Sequence, residues 1–127
     1  MFTVEKYAEL LALNKAMMEV RFLGGDIDTA LRGSPFLADV HSRVIDELID
    51  YHRQRGEDGK VASWEKWRVF ETRTLEIRSV IEYLLPLWGS SDSMDLKRQA
   101  LTTQMHPFVY NDHDVDRLYE ELDRRAN

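Results

Sequence analysis

The chain has 127 residues, of which 31% are charged, with a net charge of −6 and no cysteine. This length predicts a single domain, residues 1–127, with a core that needs no disulfide. The lack of cysteine excludes thiolate nucleophiles and cysteine-ligated zinc, and the acidic balance argues against broad nucleic-acid binding. No segment has the roughly 20 consecutive apolar residues of a membrane span, and the first residues lack the order of a signal peptide, so we expect a cytoplasmic protein.

The first predicted helix covers residues 4–23. Thr3 precedes it as a candidate N-cap, and Gly24 and Gly25 follow it as candidates for a left-handed C-cap. Residues 26–33 are expected to connect this helix to the next, with one short helical turn at residues 27–31.

Ser34 followed by Pro35 is typical of a helix start, and the second predicted helix covers residues 35–55. After a loop at residues 56–59, Ser63 is expected to cap a third long helix over residues 64–85, before Pro86.

A fourth helix over residues 93–105 stops before Pro107, and a last helix over residues 112–124 begins at Asn111 or Asp112. The segment 108–110 has extended character but no obvious strand to pair with. The pattern predicts an all-α fold, an up-down bundle of three long helices with one or two shorter C-terminal helices.

Polar side chains interrupt the apolar stripes of the three long predicted helices. They are Asn14 and Arg21 on the first helix, His41 and His52 on the second, and Arg73 on the third. A packed helix normally fills its stripe with carbon, because a buried charge without a partner is costly.

Two interpretations of these residues remain open. In one, Asn14, Arg21, His41 and Arg73 line an interior pocket for an anion, since the planar fork of arginine suits carboxylate and phosphate groups. In the other, which we favour, the arginines extend to helix ends or pair with carboxylates of neighbouring helices. The histidines are then ordinary core or edge residues.

Catalytic and metal-binding motifs are absent from the sequence. The acidic start of the last helix, with His106, Asp112, His113, Asp114 and Asp116, matches no EF-hand and is better explained by helix capping. No nucleophile elbow or phosphate loop is present. We therefore expect no metal and no cofactor, and the sequence favours a protein without enzymatic activity over an enzyme.

Candidate partner surfaces include three side chains predicted on the outer side of the third helix: Trp64, Leu75 and Tyr83. Residues 112–123 form an acidic amphipathic segment that suits a basic partner. Residues 53–68 mix basic and aromatic side chains, which gives a weaker hypothesis of nucleic-acid binding.

The sequence thus favours a non-enzymatic interaction or regulatory module, such as an inhibitor or immunity-type protein, an assembly chaperone or an adaptor. A protein partner is expected, and a homodimer is a further expectation. The alternative is a helical bundle that binds a small anion, or acts on it, through the interior pocket.

Overall fold

The computed structural model describes residues 1–25 and 28–127, and throughout these residues the fold is all-α. The predicted connector and its short turn include Asp26 and Ile27, which lie outside the described residues. Seven α-helices are present in the described part: α1 (Tyr7–Met18), α2 (Thr29–Arg32), α3 (Pro35–Gln54), α4 (Asp58–Trp67), α5 (Thr74–Leu84), α6 (Met94–Met105) and α7 (Asp112–Ala126). An up-down order of these helices stays a prediction.

Three predicted helix starts are confirmed by side-chain caps. Ser34 Oγ accepts a hydrogen bond from the amide of Leu37 at 3.2 Å, and Ser93 Oγ caps α6 in the same way. Asn111 and Asp114 form a reciprocal capping box at the start of α7.

The first helix differs from its prediction at both ends. It begins at Tyr7, and Thr3 does not cap it. After Met18 the chain widens into a π-helical turn, Glu19–Leu23, and Gly24 then adopts an extended conformation (φ −72°, ψ 141°) instead of a left-handed one. The amide of Gly24 bonds the carbonyl of Glu19, so the π turn satisfies this carbonyl without a left-handed residue.

The prediction of one long third helix is wrong. Asp58 and Gly59, predicted as loop, begin α4, and the helix ends at Trp67. Val69 is then extended and forms a parallel β-bridge with Val109. Val109 belongs to the segment 108–110, for which the sequence showed no pairing strand. The amide of Phe70 bonds the carbonyl of Val109 at 3.0 Å, so a long-range backbone contact overrides the helical pattern.

Two hydrophobic clusters form the core in the part of the chain that the structure describes. The smaller lies between α1 and α3 and includes Leu10, Ile45 and Leu48. The larger lies among α5, α6, α7 and the end of the first helix, and includes Phe22, Leu101 and Phe108. The junction between the two clusters holds the buried polar side chains described next. No helix in the described part of the chain is long and apolar enough to cross a membrane.

Candidate anion-binding site

Arg21 lies in the π turn and has no exposed surface. Its Nη1 donates to Nδ1 of His41 at 2.9 Å, and its Nη2 makes a long hydrogen bond, 3.5 Å, to the backbone carbonyl of Gln104. Its Nε is buried and has no hydrogen-bond partner among residues 1–25 and 28–127. Within these residues, the fully buried guanidinium is therefore held by two neutral acceptors and is incompletely satisfied.

His41 continues this hydrogen-bond chain to α1. Because a guanidinium only donates, Nδ1 of His41 must be the unprotonated nitrogen, and Nε2 carries the proton. Nε2 lies 2.8 Å from Oδ1 of Asn14, which accepts that proton's hydrogen bond. Burial, followed by the charge of Arg21, lowers the pKa of His41 to about 3, so the ring is neutral at ordinary pH.

Arg32, the last residue of α2, is a second buried cation beside this group. Its Nη1 donates to Oε1 of Gln104 at 2.8 Å, and its Nη2 donates to Oγ of Ser79 at 3.2 Å. The guanidinium lies over the rings of Tyr83 and Phe22, with its carbon 4.9 Å and 5.2 Å from the two ring centres. The same Phe22 ring lies 4.7 Å from the guanidinium carbon of Arg21.

Neither guanidinium contacts a carboxylate within residues 1–25 and 28–127, although Gln104 and Phe22 touch both. Burial lowers the pKa of Arg21 to about 9, and the charge of Arg32 contributes to that shift. Burial also lowers the pKa of Arg32 to about 10. Both side chains remain protonated at neutral pH, so this arginine pair (Arg21 and Arg32) concentrates two positive charges in a poorly solvated place.

A groove of about 470 Å³ opens between α6 and the chain that follows α5, next to residues that contact Arg32. Gly33, Tyr83 and Gln104 line it, and each contacts Arg32 or follows it directly in the chain. Nε2 of Gln104 donates to the carbonyl of Gly33 at 3.2 Å, which fixes the orientation of the amide. The groove therefore reaches the side chains that lie against the Arg32 guanidinium.

Three of the four residues predicted for an anion pocket, Asn14, Arg21 and His41, lie in one hydrogen-bonded chain. Arg73 does not join them in the described contacts. It sits at the start of α5, where its Nε donates to the buried carboxylate of Glu76 at 3.2 Å, and its guanidinium lies over Trp67 and Phe108. Its position differs from the prediction because the third helix is broken just before it.

The predicted partner residues do not form one surface. Trp64 is half-buried against the cluster between α1 and α3, with its ring 5.3 Å from that of Trp67. Tyr83 is half-buried against Arg32. Leu75 alone of the three is exposed, at 59% of its surface. The break after α4 separates Trp64 from the helix that carries Leu75 and Tyr83.

Sequence reasoning missed Arg32 and Gln104. Gln104 lies between Leu101 and Met105 on the buried side of α6. It interrupts an apolar stripe as Asn14 does, so the same pattern could have indicated it. Arg32 gave a weaker signal, because it lies in a segment predicted as a connector. The capped turn that holds it begins at Asp28, whose carboxylate accepts from the amide of Leu31.

Two of the other three histidines, His52 and His106, belong to other contacts. His52 is buried and lies between Glu57, at 3.1 Å, and the hydroxyl of Tyr7, at 3.2 Å. His106 Nδ1 lies 3.2 Å from Oγ of Ser42. Across the described residues, no three histidine, aspartate or glutamate side chains come together in a way that could hold a metal ion.

Comparison of the chain with models of protein families, with curated proteins and with solved structures finds no match. The function must therefore be argued from the site itself.

Proposed function

We propose that this chain is a helical domain that binds a small anion at the arginine pair. The observation that carries the proposal is the burial of two guanidinium groups around Gln104 and Phe22 with no carboxylate contact among the described residues. This is the alternative that the sequence left open, with Arg32 in the place that Arg73 was expected to take.

An anion at this position would remove an electrostatic cost. A buried charge without a counterion destabilises a fold by several kcal/mol, and the two guanidinium groups repel each other. An anionic ligand would neutralise part of this charge and raise the pKa of both arginines. The planar guanidinium groups of the pair would also donate hydrogen bonds to its carboxylate or phosphate oxygens.

Arg32 is the side chain through which the anion would enter. It retains a little exposed surface, whereas Arg21 has none, and its acceptor Gln104 faces the groove. An anion could take over from Oε1 of Gln104 as the acceptor for Arg32. Arg21 would then contribute mainly through its charge, with His41 and Asn14 holding it in place.

The experiment is a melting-temperature screen with phosphate, sulfate and acetate on the wild type and on Arg32→Gln. A specific anion at about 100 times its Kd adds about 2.7 kcal/mol to the free energy of unfolding. We expect this gain in the wild type and its loss in Arg32→Gln. Arg78→Gln, at an exposed arginine of α5, is the matched control and should keep the gain. Equal responses in the wild type and both variants would contradict the proposal.

The sequence also places a carboxylate, Asp26, between Arg21 and Arg32 along the chain. The screen therefore includes Asp26→Asn. If an external anion is the ligand, this variant keeps or increases the anion-dependent gain. If Asp26 itself neutralises the pair, Asp26→Asn loses stability in the absence of any anion, and wild-type protein gains nothing from added anions; this outcome contradicts the proposal.

A non-enzymatic, cytoplasmic protein-interaction module remains the second candidate. It is favoured by large apolar side chains that project from the helices, above all Phe36 at 82% exposure and Leu75 at 59%. The test of its homodimer form is light scattering over a range of concentrations. Concentration-dependent dimerisation that is lost in Phe36→Ser or Leu75→Ser would support it, and a monomer at every concentration would remove the homodimer.

A further inference from the structure

The groove beside the arginine pair is apolar along most of its length. Tyr83, Leu84, Leu87 and Trp88 form one wall, and Leu96 and Ala100 of α6 lie on the other. Leu87 and Leu96 are exposed at 51% and 56% although they face a concave surface. An apolar body seated in the groove would remove these side chains from water, which is the main source of affinity for such ligands.

The two ends of the groove differ from its walls. Gln104 and Lys97, both on α6, mark them, and at 1.5 Å per residue they lie about 10 Å apart along the helix. Gln104 is backed by Arg32, through a 2.8 Å hydrogen bond. Lys97 lies near Asp123, with 3.9 Å between Nζ and Oδ1.

The Gln104 end therefore suits a negative charge better than the Lys97 end. Lys97 has a nearby carboxylate and also lies over the ring of Trp88. Arg32 has neutral hydrogen-bond acceptors and aromatic neighbours in the described structure, so its charge is less compensated. The groove thus combines an apolar body with an end, at Gln104, that lies next to the weakly compensated guanidinium of Arg32.

We propose that the ligand of this site is an amphipathic monocarboxylate, with its carboxylate at Gln104 and Arg32 and its apolar chain along the groove toward Leu87 and Leu96. This inference rests on the proposed function and specifies its ligand class. A groove of about 470 Å³ lies within the range of sites for small organic molecules. A bare oxyanion would leave the apolar walls exposed.

The test is a calorimetric titration with straight-chain carboxylates from acetate to octanoate, all below their micelle concentrations. Each methylene that enters an apolar site contributes about fourfold in affinity, so the Kd should fall steadily with chain length until the groove is filled. Octanamide, which has the same chain and no charge, should bind at least tenfold more weakly than octanoate. Equal affinities for octanamide and octanoate would contradict a carboxylate contact at Gln104 and Arg32.

Variants distinguish this inference from the anion site on which it depends. Ala100→Trp fills the groove from α6 and should weaken the binding of octanoate at least tenfold, while acetate and phosphate bind as before. Arg32→Gln should weaken the binding of every anion. Leu75→Ser, at an exposed leucine outside the groove, is the control and should change none of these affinities.

The two proposals fail in different ways. If acetate, phosphate and octanoate bind with equal affinity and Ala100→Trp has no effect, the anion site stands and the amphipathic ligand is wrong. If none of these anions binds, both proposals fail. If octanoate binds but Ala100→Trp does not weaken it, the chain does not occupy the groove and the inference is overturned.

Discussion

The guanidinium of Arg21 donates to Nδ1 of His41 at 2.9 Å, and this contact fixes the state of the imidazole ring. The ring must be neutral and protonated at Nε2, where it donates to Asn14. Two helices and the π turn are thus joined by one directed chain of hydrogen bonds inside the core. Its members cannot be replaced singly without leaving a buried polar group unsatisfied.

We expect His41→Phe to lower the free energy of unfolding by about 3 kcal/mol. A phenyl ring has similar bulk but removes the acceptor of a buried cation and the donor to Asn14. The measurement is urea denaturation followed by circular dichroism. His113→Phe, at an exposed histidine of α7, is the matched control and should stay within about 0.5 kcal/mol of the wild type. A loss in His41→Phe no larger than that in the control would contradict the burial of this contact.

Stability should fall as the pH drops below about 6.5. Burial lowers the pKa of His41 from 6.5 to about 3, so between these values the unfolded chain binds a proton that the folded chain does not. The contribution of neutral His41 to the free energy of unfolding is complete above pH 6.5 and is lost progressively as the pH falls toward 3. The slope approaches about 1.4 kcal/mol per pH unit.

The check is the urea midpoint at several pH values between 7.5 and 5, above the range in which ordinary carboxylates titrate. The pKa of His106 is also lowered, chiefly by burial, and adds a dependence of the same sign. His41→Gln should therefore have a shallower slope than the wild type, and not a flat one. Identical slopes in the two proteins would show that His41 does not titrate in this way.

Arg73 is expected to matter for stability and not for anion binding. Arg73→Leu leaves the carboxylate of Glu76 buried without its cation, which should cost about 3 kcal/mol. Arg73→Leu combined with Glu76→Leu should recover most of that loss, because both charges are then absent. Urea denaturation of the single and double variants gives the coupling energy, with Arg78→Leu as the exposed control. A stable Arg73→Leu single variant would contradict the pairing with Glu76.

The parts of the fold that the sequence predicted well depend on local chemistry. Ser34, Ser93 and Asn111 each supply an oxygen to the amide three residues further on, so neighbouring residues alone determine these helix starts. The break after Trp67 has no such signal. It depends on the pairing of Val69 with Val109, and an apolar residue at position 69 fits a helical stripe as well as an extended bridge.

The candidate site shows the same division. Asn14, Arg21 and His41 could be singled out because each interrupts an apolar stripe of its own helix. Their mutual contacts, and the place of Arg32 beside them, depend on how α1, α2, α3 and α6 meet in space. That meeting is decided by the packing of the core between helices, which the 3.6-residue pattern of a single helix does not record.

Gly33 directly follows α2 and lines the groove. Its substitution tests how the end of α2 packs against Tyr83. Its φ of −94° is open to any residue, so backbone strain is not the issue. A Cβ at this position would overlap the hydroxyl of Tyr83, whose ring also lies against the guanidinium of Arg32. Gly33→Ala must therefore displace the ring and should lower the free energy of unfolding by about 2 kcal/mol.

Gly59→Ala is the control for Gly33→Ala, since an added Cβ there meets no atom within 4 Å and the residue lies in α4. It should raise stability by about 0.5 kcal/mol, because alanine favours a helix more than glycine does. Tyr83→Leu should remove most of the penalty of Gly33→Ala by shortening the side chain that the Cβ meets. If Gly33→Ala were as well tolerated as Gly59→Ala, the ring of Tyr83 would not pack against the end of α2, and the groove would lack this lining side chain next to Arg32.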